Sequence, residues 1–405
     1  MKRLLLFFLC FLLLTGCAAQ ENTEDAVPTM GGEIAPPVQS ESEPAPPPAP
    51  PAQPEPEPIP EPEPDPRAEA IEALLSPMTL EEKVGQLFFV RCPDVNQVEL
   101  IGQYHLGGYL LFARDFKDSA GNWLTAEQFT EKTAAYQAAS AIPLLIGVDE
   151  EGGTVARATR NPNLFPKKRK SPQTIFQNGG MEAIAEDTLT VSRGLLRYGI
   201  NVNFAPVADV ATYPAAFIYD RTFGQNDEAT AEYIQTAVTA MEETGIGSVL
   251  KHFPGYGNNA DTHTGIALDD RAYEEFIYHD FLPFRAGIAA GAGSVLVSHN
   301  IVECMDDALP ASLSPEVHRV LREELGFEGV ALTDDLAMEA VEAYAADGSV
   351  AVLAIQAGND MIVTTDFETQ IPQVIAAVEA GEISTETIDT AVRRVLGWKY
   401  DLGLL

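Results

Sequence analysis

Two stretches of this 405-residue sequence put acids and bases at spacings that a covalent displacement could use. The first, Asn258-Asn259-Ala260-Asp261-Thr262-His263, follows a glycine-rich turn and carries an aspartate and a histidine two positions apart. A carboxylate that accepts from one imidazole nitrogen fixes the tautomer and stabilises the imidazolium. The other nitrogen is then left to donate a proton and later take it back. An imidazole with an ordinary pKa of about 6.5 suits both halves of such a cycle near neutrality. The second stretch is Thr333-Asp334-Asp335, at the end of an apolar run. Consecutive side chains on a strand point to opposite faces, so the two acids cannot both aim at one substrate atom. One is the reactive carboxylate; the other caps the following helix or braces the first, and the pattern alone does not choose between them. A carboxylate so placed suits attack on an anomeric carbon, because a covalent ester splits one hard displacement into two easier ones.

Such groups must be held by something, and the body of the chain supplies eight short apolar runs: Leu87–Val90, Gly108–Phe112, Pro143–Val148, Val202–Val210, Ser248–Phe253, Ser294–Ser298, Gly329–Thr333 and Asp360–Val363. Amphipathic stretches lie between them, among them Ala126–Ala139, Glu228–Thr244, Ala272–Ala290 and Ser314–Leu325. The last has Ser314 as N-cap, Pro315 at the first helical position and Gly326 beyond the end. Eight continuous apolar strands separated by helices imply a parallel sheet covered on both sides, and eight units are the natural number for a closed (β/α)8 TIM barrel. An open, doubly wound sheet would want a glycine fingerprint after an early strand. Gly107-Gly108 instead precedes its strand. In a barrel, reactive groups belong at the C-terminal ends of the strands. The third run ends in Asp149-Glu150-Glu151, the fourth in Asp209, the fifth in Lys251-His252, the sixth in Ser298-His299-Asn300 and the seventh in Asp334-Asp335.

Over residues 68–405 the sequence resembles glycoside hydrolase family 3, in its single-barrel bacterial β-N-acetylglucosaminidase branch. The most specific piece is Lys251-His252-Phe253-Pro254-Gly255-Tyr256-Gly257 followed by Asp261-Thr262-His263; Thr333-Asp334-Asp335-Leu336-Ala337-Met338 resembles the nucleophile motif. The resemblance implies that Asp334 is the nucleophile, His263 the general acid/base and Asp261 its orienting partner. It also implies that Asp149, Arg221 (in Asp220-Arg221-Thr222-Phe223-Gly224), Lys251 and His252 bind the sugar ring, with Asp209 in support. No cofactor or metal is implied. Tyr256 stands where the signature commonly has His, and Thr154 where Arg is common, which bears on the leaving group. The family's frequent second domain does not follow Leu405, so the barrel is expected to supply the whole site. The implied activity is exo-acting, retaining release of terminal N-acetylglucosamine from peptidoglycan or chitin fragments, with β-glucosidase or phosphorylase activity as alternatives.

Upstream, Lys2-Arg3, an apolar run Leu4–Leu14 and Leu14-Thr15-Gly16-Cys17 read as a lipoprotein export signal over 1–17. The run is too short to span a bilayer. Lipidated Cys17 would anchor an extracytoplasmic protein to a membrane. Residues 18–67, rich in Pro, Glu, Ala and Ser, cannot bury a core and read as a disordered tether. The net charge of −35, with no basic stripe, excludes a nucleic-acid partner; Lys167-Lys168-Arg169-Lys170 reads as one solvated loop. Cys92 and Cys304, the cysteines outside the signal, imply no disulfide framework; a single bridge between them is open, and buried free thiols are the blander expectation. A metal-dependent barrel hydrolase would want His-x-His early, and the first strand, Gln86-Leu87-Phe88-Phe89-Val90-Arg91-Cys92, offers none. A sugar-binding lipoprotein without catalysis would share the anchor but would not need the Asp-x-His pair.

Overall fold

β-Branched and aromatic runs flanked by helices form eight parallel strands: β1 (Phe88–Arg91), β2 (Gly108–Leu111), β3 (Leu145–Val148), β4 (Val202–Asn203), β5 (Gly247–Phe253), β7 (Ser294–Val297), β9 (Val330–Thr333) and β10 (Ile362–Thr364). The structure is a computed structural model and describes Ala45, residues 65–257 and 267–338, Val341, Tyr344 and residues 349–405. The strand order is β10-β1-β2-β3-β4-β5-β7-β9. The sheet closes where Met361 bridges Leu332, with Thr333 N donating to Met361 O (3.2 Å) and Met361 N to Ala331 O (3.0 Å). This is the (β/α)8 barrel expected from the spacing, and each of the eight apolar runs contributes one strand. A pair not foreseen, β6 (Leu268–Asp269) with β8 (Ile301–Val302), sits above the C-terminal ends of β5 and β7.

Side-chain volume sets the barrel's interior. Phe89 and Phe204 meet edge to face at 5.1 Å, and a Cβ on Gly147 would lie 2.7 Å from one ring and 2.8 Å from the other. Only glycine leaves β3 room for the pair. The helices start where the sequence marks them. Thr79 with Glu82, and Thr125 with Gln128, form reciprocal caps, Asn226 caps Asp227–Thr244, and Ser314 accepts from Val317 N ahead of Pro315. Ala126–Ala139 is helical over the expected span. Tyr273–Ala289 and Pro315–Glu324 each contain one wider turn, over Phe276–Asp280 and Val320–Glu324.

The first and last helices pack together: Arg67 forks onto Asp401 (2.8 Å twice) and Arg393 reaches Glu72 (2.6 Å). They lie at the N-terminal ends of the strands, where the Trp398 ring presses on Gly247 and Gly293, the residues that open β5 and precede β7. Asp360 pins the closing seam from the same end, binding Arg394 Nη1 (2.9 Å), Ala331 N (2.9 Å) and Arg322. Burial pushes the Lys399 ammonium down to about 7, and its Nζ donates to Gln86 Oε1 at 2.6 Å.

Two surface expectations change. Lys167, Lys168 and Lys170 are exposed, but Arg169 turns inward, its Nε bonding Asp187 Oδ2 (2.7 Å) and its Nη1 the buried Glu150 carbonyl, which also accepts from Asn203 Nδ2 (3.3 Å). Both described cysteines are free thiols; Cys92 is buried and its thiol pushed up to about 12 by that burial, whereas Cys304 is exposed on the turn after β8. No described helix is long and apolar enough to cross a membrane.

Candidate active site

The C-terminal ends of the strands surround a cavity of about 730 Å³ whose lining includes Asp149, Arg221, Lys251, His252 and Asp334. Five of the residues singled out in the sequence therefore converge on one space. Asp261 and His263 lie outside the described residues, as does Cys17.

Alternation along β3 decides which of its three terminal acids faces inward. Asp149 and Glu151 share one face and line the cavity; Glu150 points the other way, accepting from Arg157 N (2.9 Å), Thr159 N (3.1 Å) and Thr159 Oγ1 (2.6 Å). Along β5 the pairing with β7 shifts register between Leu250 and Phe253, so the successive residues Lys251 and His252 both reach the cavity.

These groups form one chain of charge. Lys251 Nζ lies 2.7 Å from both Asp149 Oδ1 and Glu151 Oε1, and Arg221 holds Glu151 through two nitrogens at 3.0 and 2.8 Å. Burial alone would raise the Glu151 carboxyl, but Arg221 and Lys251 outweigh it and hold it well below the usual carboxylate range. Burial likewise opposes the Lys251 charge, and Asp149 and Glu151 reverse the effect, raising its pKa. Arg221 Nη2 is also 3.1 Å from His252 Nε2. A guanidinium only donates, so Nε2 accepts, and the ring proton sits on Nδ1, directed at Asp209 Oδ2 2.7 Å away. Asp209 further accepts from His252 N (3.1 Å) and Tyr256 N (2.8 Å) and so shapes the chain as it leaves β5. Tyr256, in place of the more common histidine, is buried edge-on against His252 and Phe217. Thr154 is exposed, its carbonyl accepting from Arg160.

Across the cavity Asp334 follows β9 directly, its N–H donating to Val297 O at 3.0 Å. Its Oδ1 accepts from Asp335 N (2.8 Å). Asp335 turns to local work, accepting from Ala337 N (3.0 Å) and Thr365 Oγ1 (3.1 Å); burial first, and the Asp334 charge beside it, raise its pKa. Both acids line the cavity, and Asp334 is the one that directly follows the strand. Among the described residues no group of three or more His, Cys, Asp or Glu is placed to hold a metal ion.

Three lining residues were not assigned roles from sequence. Glu151 carries the charge chain, and its i, i+2 relation to Asp149 was the signal available. Arg91, at the end of β1, and Arg157 both lie over the Phe112 ring, at 4.4 and 5.6 Å from its centroid. Neither is paired with a carboxylate among the described residues, and the Nε of each is buried without a hydrogen-bond partner. In so acidic a chain this leaves positive charge at one wall of the cavity.

The sequence profile of the Glycosyl hydrolase family 3 N terminal domain matches residues 79–397. A beta-hexosaminidase of Stenotrophomonas maltophilia (strain K279a) is 31% identical over 299 residues, which cover 72% of this chain and 86% of that one. Among solved structures, a glycoside hydrolase family 3 β-N-acetylglucosaminidase from Paenibacillus sp. str. FPU-7 superposes with a TM-score of 0.73 at 31% identity, covering 81% of this chain and 63% of that one. A β-N-acetylhexosaminidase from Beutenbergia cavernae DSM 12333 does so at 0.67 and 31%, covering 79% and 98%.

Glu151 offers the sharpest test of the charge chain. Glu151→Gln leaves two buried cations short of a counter-charge and should lower unfolding free energy by about 3–5 kcal/mol at pH 7 in urea titrations. Because the folded pKa is depressed, the carboxylate's contribution is present above its ordinary value of 4.5 and lost as pH falls below it; the variant should lack that part of the acid sensitivity. A loss under about 1 kcal/mol would show that solvent, not Glu151, answers these charges.

Proposed function

This chain belongs to glycoside hydrolase family 3, and we propose that it is an exo-acting, retaining β-N-acetylglucosaminidase. The observation that carries the reading is a carboxylate, Asp334, at the end of a barrel strand, facing a cavity whose opposite wall is a fixed set of hydrogen-bonding charges. Asp149, Lys251, Arg221 and His252 suit the hydroxyls of one terminal sugar ring, which is the geometry of exo-action. Asp334 attacks the anomeric carbon while His263, oriented by Asp261, protonates the departing glycosidic oxygen. The resulting glycosyl-aspartate is then opened by water, whose proton returns to the now neutral His263; two inversions give net retention. Relatives and structural neighbours named for β-N-acetylhexosaminidase activity support the acetamido sugar.

Arg91 and Arg157, neither paired with a carboxylate among the described residues, favour an anionic aglycone, and so a peptidoglycan fragment bearing a lactyl or peptide carboxylate over a neutral chitin fragment. Residues 1–17 support an extracytoplasmic enzyme held to a membrane through lipidated Cys17, with 18–67 as its tether.

Nitrophenyl β-N-acetylglucosaminide should be cleaved far faster than the β-glucoside, and Asp334→Asn should cut that rate by about 10⁴-fold or more. Activity on the glucoside alone would keep the nucleophile and discard the acetamido assignment. Arg91→Ala should lower kcat/KM about tenfold for an N-acetylglucosaminyl-muramic acid disaccharide, and much less for chitobiose; equal losses would count against the anionic aglycone. Palmitate labelling of the full chain should vanish in Cys17→Ala, and undiminished labelling would remove the anchor.

A further inference from the structure

The proton donor and the nucleophile stand on different supports. Asp334 directly follows a barrel strand, whereas Asp261 and His263 belong to the stretch between the end of β5 and the start of β6. Both ends of that stretch are described, and one side chain joins them. Arg271 Nη2 donates to the Gly255 carbonyl (3.2 Å) on the departing side and to Asp269 Oδ2 (2.7 Å) on the returning side. Its Nε bonds Asp269 again (3.0 and 3.1 Å), and Nη1 bonds Asp280 Oδ2 (2.8 Å). The guanidinium also lies 4.3 Å over the Phe276 ring, which is fully buried.

The departing chain is shaped to this contact. A Cβ on Gly257, whose φ is +54°, would stand 2.7 Å from Arg271 Cζ, and one on Gly255, at φ +126°, would stand 2.4 Å from Asp280 Oδ1. Both glycines therefore serve a close approach as well as a backbone angle that other residues resist. On the returning side Asp269 is fully buried, and its carbonyl accepts from Glu303 N (3.0 Å). The fork thus measures the distance between two fixed points, a task for a planar, multidentate group and not for a point charge.

We propose that Arg271 is a positioning residue for the reaction: by tying Gly255 to Asp269 and Asp280 it sets the span across which Asp261 and His263 are presented to the glycosidic oxygen. The inference rests on the assignment of His263 as proton donor. A misplacement of about 1 Å in such a group is worth on the order of 10²-fold in rate.

The test compares kcat/KM, which reports glycosidic cleavage, for two substrates of the full-length enzyme. One is a 2,4-dinitrophenyl glycoside, whose leaving group departs without protonation; the other is a disaccharide, whose leaving group needs it. Arg271→Lys should lose about 10²-fold on the disaccharide and under about threefold on the aryl glycoside, with an unchanged Tm. Arg271→Ala should show the same split more strongly. The pH profile of the disaccharide reaction should also lose the definition of its basic limb. Equal loss on both substrates, or a loss that follows a fall in Tm, would overturn the proposal and leave Arg271 a structural ion pair. His263→Ala is the control. If it shows a split and Arg271→Lys does not, the proposal alone fails; if it shows none, the proton-donor assignment fails and the proposal with it.

Discussion

Charge buried at the mouth of a barrel must be answered by charge, and most of this molecule's functional geometry follows from how Lys251 is answered. An unpaired ammonium there would simply shed its proton. Held between Asp149 and Glu151 at 2.7 Å each, it stays charged, and in doing so it fastens β5 to β3. Glu151 in turn requires Arg221, which reaches in from the connection after β4, and Arg221 settles the tautomer of His252, which Asp209 then holds from behind. Three successive barrel units are thereby locked in register by side chains that line or back the cavity. The same ion pairs that hold these strands together also fix the positions of the polar groups on that wall.

The barrel was legible because its signal is repeated: eight apolar runs with amphipathic stretches between them leave few ways to bury them all. The cavity was legible for a related reason, since strand ends rich in ionisable residues have one place to converge. Glu151 was overlooked because, in sequence, it sits beside Glu150 with nothing to rank them; strand alternation separates them, but only once the strand's inward face is known. Arg91 and Arg157 gave no signal at all. An arginine in a sequence is normally a solvated one, and that these two have no carboxylate partner among the described residues is a fact of three dimensions. Arg169 errs in the opposite direction, belonging to a basic run that looks like surface while its own side chain satisfies a buried carbonyl. The β6–β8 pair, two residues to a strand, is too short to carry any periodicity.

The opposite walls of the cavity are built by different means. The side bearing Lys251 is dense with ion pairs, whereas the side bearing Asp334 has a strand end, a turn capped by Asp335, and amides bonded across to β7 and β10. Asp334 accepts from the Asp335 amide at 2.8 Å, a bond that orients its carboxylate at the strand end.

The pairing of the first and last helices, Arg67 on Asp401 and Glu72 on Arg393, has a practical corollary. The two ends of the barrel body emerge side by side, on the face away from the cavity. A short linker could join them and new ends could be opened in a loop elsewhere, giving a circular permutant with the same strand order. Coupling the body to a bead, an electrode or a fusion partner through either end would turn its mouth outward, open to polymer arriving from solution.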